Sequence, residues 1–206
     1  MNYNTKYLEN INMGLNLTEF TLRNAPVKGD DFFIEITALA KKVKSNSGRM
    51  FFIGNGASAS FSNHMALDWT KNGKIPSFSL SDSSMLTALA NDFNYATAMR
   101  EFIKLYEIND KDLVITTSSS GNSENIVNVL RYCNKMNIDT LTFSGLKKDN
   151  ASIELGCYSL FVPLKTYGMV ECIHQVFHHL LLDRYMGIEE WNKKEEQNMN
   201  NENFRL

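Results

Sequence analysis

The chain opens with two stretches whose apolar residues recur at helical spacing. In residues 5–24, Tyr7, Ile11, Leu15 and Leu22 share one side, with polar residues between them. Asn24-Ala25-Pro26 is expected to interrupt that helix. A second helix is expected over residues 31–45. Asp30 and Asp31 can cap it, and Phe32, Ile36, Leu39, Ala40 and Val43 give it an apolar face. After the Ser47-Gly48 turn the pattern alternates. Strands are expected at 49–53, 77–80, 112–117, 139–144 and 159–162. Helices are expected at 60–72, 96–106, 124–136 and 169–186, with a helical turn at 85–91.

Strand and helix in alternation imply a parallel sheet covered on both faces. The expected fold class is therefore α/β, a three-layer αβα sandwich with a mainly parallel, doubly wound sheet, preceded by N-terminal helices. The chain divides into N-terminal helices (1–46), a sandwich domain (47–190) and a polar tail (191–206) rich in Asn, Lys and Glu. Phe93, Trp69 and Phe177 read as core. Trp191 and the charged run 193–196 read as the solvated end of a helix.

Composition narrows the function without choosing it. The chain has 206 residues, of which 43% are hydrophobic, enough for a sizeable core without staples. A formal net charge of −2 gives no reason to expect nucleic acid or an anionic membrane as a partner. No signal peptide or membrane-spanning run is found, so the cytoplasm is the expected location. Cys133, Cys157 and Cys172 are odd in number and far apart, and read as buried or idle thiols in a reducing compartment.

The strongest local signal is a strand, then Ser118-Ser119-Ser120-Gly121-Asn122-Ser123, then a helix. In a doubly wound sheet, ligands sit beyond the carboxyl ends of the strands. A helix start there offers unpaired N–H groups and the positive end of its dipole. One helix cap needs one serine, not four, so the run reads as a cradle for an oxyanion such as phosphate. Gly54-Asn55-Gly56-Ala57-Ser58 repeats the design after an earlier strand. It is neither a dinucleotide fingerprint nor a Walker A loop.

These two loops are joined by His64 with Asp68, Leu80-Ser81-Asp82, Asn91-Asp92-Phe93 and a last helix bearing His174, His178 and His179. In this order and at these spacings the segments from about 49 to 186 resemble the sugar isomerase (SIS) domain family, and within it the phosphoheptose isomerases. The resemblance implies an aldose–ketose isomerase that takes sedoheptulose 7-phosphate to a heptose 7-phosphate through an enediol. It implies substrate contacts at Asn55, Gly56, Ser58, Asn91, Asp92, Ser118, Ser119, Ser120, Ser123 and Glu171. The family's catalytic glutamate falls on Asp68, its last-helix glutamine on Glu171, and its catalytic histidine on His179. Its zinc positions fall on His64, Asp68, Glu171 and His179, a donor set that suits zinc.

The chain departs from the family at two of those places. Asp68 is one methylene shorter than glutamate, and Glu171 is an acid where the family has an amide, so either carboxylate can be the base. Glu171, His174 and His178 share one helical face, while Gln175 and His179 share another, turned by roughly 80°. The resemblance favours His179 for the site, with His178 as the fallback. It also implies a homotetramer with active sites at subunit interfaces. Two other readings are a non-catalytic SIS regulator that binds sugar phosphate, and an isomerase of a different phosphosugar in a capsule or glycan pathway.

Overall fold

A computed structural model describes residues 2–191. The expected tail from 192 onward, with its charged run, lies outside the described residues. The first expected strand pattern, at 49–53, shows most plainly why the fold forms. In β3 (Met50–Gly54), Met50 and Phe52 enter one core, while Phe51 and Ile53 enter another on the opposite side of the sheet. In β5 (Leu113–Ser118), Leu113 and Ile115 divide from Val114 in the same way. Side chains alternate across a strand, so a strand that is apolar at every position must be covered twice.

The covering helices follow from this. The described residues form one seven-stranded sheet in the order β2-β1-β7-β6-β5-β3-β4. β3, β4 (Ser77–Ser79), β5, β6 (Asp139–Gly145) and β7 (Tyr158–Val162) run parallel. One face is packed by α2 (Gly29–Ser45), α3 (Ala57–Lys71) and α8 (Tyr167–Met186), with α1 (Tyr3–Leu17) laid against α8. The other face is packed by α4 (Ser83–Asp92), α5 (Tyr95–Leu105) and α6 (Glu124–Lys135), with short α7 (Ala151–Leu155) beside α6. This is the expected three-layer α/β sandwich. Helix α7 was not expected, because five residues carry too little periodicity to register.

The N-terminal segment differs from expectation. The first helix stops at Leu17, and β1 (Glu19–Leu22) and β2 (Ala25–Val27) form a hairpin that extends the sheet antiparallel to β7. Arg23 and Asn24, both at positive φ (49° and 67°), make its two-residue turn. Leu22 misled the helical reading because it fits either period. Phe20 and Leu22 alternate with polar Glu19 and Thr21, as a strand with one covered face does. Phe20 holds the hairpin down, its ring centroid 5.0 Å from Phe32, 5.4 Å from Phe33 and 5.8 Å from Phe177.

Trp69 and Phe177 are core, but Phe93 is 55% exposed. It follows the last residue of α4, where the chain turns toward α5 and no layer covers it. Of the three free cysteines, Cys133 is buried and burial pushes its thiol up to about 12, whereas Cys172 is exposed. Among the described residues no helix is long and apolar enough to cross a membrane.

Phe20→Ala should lower stability by about 2–3 kcal/mol, since it empties a site between three aromatic rings. Urea unfolding would show this as a lower midpoint, and an unchanged midpoint would mean the hairpin is not part of the cooperative unit.

Candidate active site

The order of strands places the site. The chain leaves β3 for its neighbour β4, then crosses to the other side of β3 to form β5. Beyond the carboxyl ends of β3 and β5, connections therefore depart in opposite directions and open a crevice. The glycine loop and the serine run lie there, one after each strand. Each loop turns on a glycine with positive φ: Gly56 (φ 54°) before α3 and Gly121 (φ 65°) before α6. At Gly121 a Cβ would also lie 2.2 Å from Asn150 Oδ1, the oxygen that caps α7.

The serine run is held mostly by its main chain. Gly121 N donates to Ser118 O (2.9 Å), and Gly145 N donates to Ser119 O (3.0 Å). Ser152 N and Oγ both donate to Gly121 O at 3.0 Å. Ser123 takes the N-cap position of α6 but makes no side-chain cap bond. It stands 3.4 Å from Ser118 through their hydroxyl oxygens, while Ser120 Oγ accepts from Asn122 N (3.2 Å). Ser119 Oγ is buried and has no partner among the described residues. A ligand oxygen is the missing acceptor that such a hydroxyl calls for.

Across the crevice, Asn55 pairs with Asn125 at the start of α6, and the Tyr95 hydroxyl donates to Asn55 Oδ1 (2.8 Å). Tyr95 thereby brings the segment after Asn91 and Asp92 to the first loop. Asn91 Nδ2 donates to Asp92 Oδ1 (3.1 Å), and both side chains are exposed. Ser58 lies buried in the first turn of α3.

A second group of polar side chains lies where α3 meets α8. His64 Nε2 and Asp68 Oδ2 are 3.2 Å apart, one helical turn from each other. The rings of His64 and His179 lie 5.4 Å apart at 62°. Ligating atoms of His64, Asp68 and His179 all fall within 4.8 Å of one another. Gln175 Nε2 donates to His179 Nε2 (2.7 Å), while Gln175 Oε1 is buried without a partner among the described residues. Glu171 is not part of this group. It stands eight residues before His179, about 12 Å of helix rise, half-buried and with no side-chain hydrogen bond among the described residues.

The other two histidines of α8 belong to the core. His178 stacks on Phe143 (centroids 4.0 Å apart, 18°) and shares a 2.9 Å hydrogen bond with Thr117 Oγ1. His174 Nε2 donates to Ser144 O (3.0 Å). Burial pushes His174 down to about 4, against the pull of Ser144. It pushes His178 down to about 3, with His174 and His179 adding to the fall. Both are therefore neutral packing elements, and His179 is the α8 histidine beside His64. The Thr117–His178 bond fastens this part of α8 to the strand end from which the serine run leaves.

Three neighbours of the site escaped the sequence reading: Asp183, Tyr95 and Asn125; Gln175 was read only as sharing a helical face with His179. Asp183 follows His179 by one turn. Burial pushes its carboxyl above the ordinary range, His179 opposes the rise, and Glu190 and Asp68 add to it. The i, i+4 spacing from His179 was the available signal for Asp183. Nothing local singled out Tyr95 or Asn125, whose partners are distant in sequence.

Comparison with known proteins agrees with this architecture. The family model described as "SIS domain" matches residues 34–145, more than half of the chain. A phosphoheptose isomerase of Helicobacter pylori is 30% identical over 145 residues, covering 67% of this chain and 74% of that protein. One from Thermodesulfovibrio yellowstonii is 26% identical over 155 residues, covering 72% and 76%. The solved structure of a phosphoheptose isomerase from Francisella tularensis superposes with a TM-score of 0.75 at 16% identity, covering 89% of this chain and 96% of that one, a likeness of fold. The chain belongs to the SIS domain family, among the sugar-phosphate isomerases of the phosphoheptose isomerase type.

The buried histidines yield a test. The unfolded chain takes up protons on them near their ordinary value of 6.5, while the folded chain does not until about 4 for His174. Stability is then present above pH 6.5 and is lost as the pH falls toward 4, by about 1.4 kcal/mol per pH unit for each histidine. Urea midpoints measured from pH 7 to pH 5 should fall less steeply for His174→Gln than for the unsubstituted chain. Equal slopes would remove His174 from the acid response.

Proposed function

We propose that the chain interconverts sedoheptulose 7-phosphate and an aldoheptose 7-phosphate through an enediol. The observation that supports this most is the approach of Asp68 to His64 and His179 on helices that meet beside the two-loop crevice. An aldose–ketose isomerisation needs a carboxylate to lift a proton beside a carbonyl and a second group to move protons at the oxygens. Asp68 takes the first role. His179, with the Gln175 amide against its ring, takes the second. The serine run binds the phosphate with Ser118, Ser119, Ser120, Ser123 and the start of α6. Asn55, Gly56 and Ser58 close the near side, and Asn91 and Asp92 bind sugar hydroxyls. Glu171, unpartnered two turns before His179, binds a further hydroxyl rather than acting as the base.

The donor set fits zinc. Two imidazoles and one carboxylate already lie within 4.8 Å of one another, and the buried Gln175 Oε1 still lacks a partner. His64, Asp68 and His179 would hold the ion, which when bound polarises the substrate carbonyl. A homotetramer, and a cytoplasmic location, are proposed with this activity. Ile34, Val176 and Leu180 stay exposed along a groove of about 1880 Å³ that His179 also lines, which supports a subunit contact beside the site.

Asp68→Asn should lower kcat by about 10²- to 10⁴-fold, the share ordinarily carried by a general base, with aldose formation from sedoheptulose 7-phosphate followed by NMR. Full turnover in that variant would move the base elsewhere. Protein purified without chelators should carry close to one zinc per chain, and a content near zero would retire the metal. Ser119→Ala removes a hydroxyl that has no partner among the described residues. It should therefore leave stability within about 1 kcal/mol while raising KM several-fold.

A further inference from the structure

Three side chains and one main-chain group meet above the β3–β5 pair. The amides of Asn55 and Asn125 face each other: Asn55 Nδ2 donates to Asn125 Oδ1 (3.0 Å), and Asn125 Nδ2 donates to Asn55 Oδ1 (2.9 Å). The Tyr95 hydroxyl donates to Asn55 Oδ1 (2.8 Å), and Ile126 N donates to Asn125 Oδ1 (3.0 Å).

The last of these bonds sets the direction of the others. A backbone N–H can only donate, so the Asn125 atom that meets Ile126 N is the oxygen. The Asn125 nitrogen then faces Asn55, which must answer with its own oxygen. That leaves Tyr95 only the role of donor. Both carbonyl oxygens now accept two hydrogen bonds each, and each amide keeps one N–H. Asn125 is 3% exposed, whereas Asn55 is only half-buried at the crevice. The amide hydrogen left for a ligand is the one on Asn55.

We propose that Asn125 and Tyr95 are positioning residues that lock the Asn55 amide with its nitrogen toward the ligand, so that the crevice meets a sugar-phosphate oxygen with a donor. The inference rests on the sugar-phosphate reading of the crevice. A free amide can turn through 180° and present Oδ1 instead, which repels phosphate and gives nothing to a carbonyl oxygen. The relay removes that alternative before the ligand arrives, and the gain falls on binding rather than on the chemical step.

Two variants and one ligand test this. Asn125→Asp keeps an acceptor for Ile126 N but loses the N–H given to Asn55, and sets a carboxylate against the Asn55 oxygen. Tyr95→Phe deletes one donor at a position 54% exposed, where folding is not at stake. With sedoheptulose 7-phosphate, KM should rise by about tenfold or more in Asn125→Asp and about two- to fivefold in Tyr95→Phe, with kcat within about threefold of the unsubstituted enzyme in both. Dissociation constants from phosphorus NMR titration of the same sugar phosphate should rise in parallel. If the unsubstituted protein binds the sugar phosphate and Tyr95→Phe binds it equally well, the relay is overturned and the site reading stands. A fall in kcat at unchanged KM overturns the positioning role as well. If the unsubstituted protein neither binds nor converts sedoheptulose 7-phosphate, the site reading itself is lost, and the relay with it.

Discussion

The pairing of β3 with β5 is the constraint on which everything else hangs. These strands adjoin although α3, β4, α4 and α5 lie between them in sequence, and their register runs from Met50 against Leu113 to Gly54 against Thr117. Both ends are pinned. At the base, Arg49 Nη2 and Asp112 Oδ2 form a 2.7 Å ion pair, and Arg49 N donates to Asp112 Oδ1 (2.8 Å). Asp112 is almost fully buried, so its charge is tolerated only because the guanidinium and two backbone N–H groups, of Arg49 and Asn109, satisfy it. At the top, the paired amides of Asn55 and Asn125 close the other end. A shift of one residue in this pairing would exchange the two cores, since Phe51 and Phe52 face opposite layers.

That pinned pair supplies the rigidity the site needs. Hydrogen-bond donors are useful to an anion when they stand in place before it arrives. Here the serine run is fixed by main-chain bonds to β6 and α7, and α8 is fastened by His178 to Thr117. Among the described residues, buried side-chain atoms without a hydrogen-bond partner include Ser119 Oγ in the loop and Gln175 Oε1 beside His179, with others, such as Thr21 Oγ1 and Ser144 Oγ, elsewhere in the sheet. Ser119 Oγ and Gln175 Oε1 are the two of these that a ligand or an ion at the crevice could complete.

Much of this was legible in the chain. The layer architecture followed from strands that are apolar at every position, and both loops announced themselves by their residues. The hairpin was missed because Leu22 suits a helix and a strand equally, and only the tertiary contacts of Phe20 decide between them. On α8, family likeness drew attention to Glu171 and His179 together. Eight residues of helix separate them, and the pair that meets is Gln175 with His179, one turn apart. Spacing of i and i+4 is visible in a sequence, whereas the reach of Tyr95 to Asn55 depends on how α5 packs and is not.

The edges of the sheet carry a further consequence. β2 has three residues, Ala25, Pro26 and Val27, and its proline has no N–H to offer another strand. β4 at the opposite edge also has three. Edges this short are poor templates for a foreign strand, which is the usual route from a long open edge to aggregation. The helical layers, not the edges of the sheet, thus offer the larger surfaces to another molecule, and the hairpin that lengthens the described sheet also blunts its border.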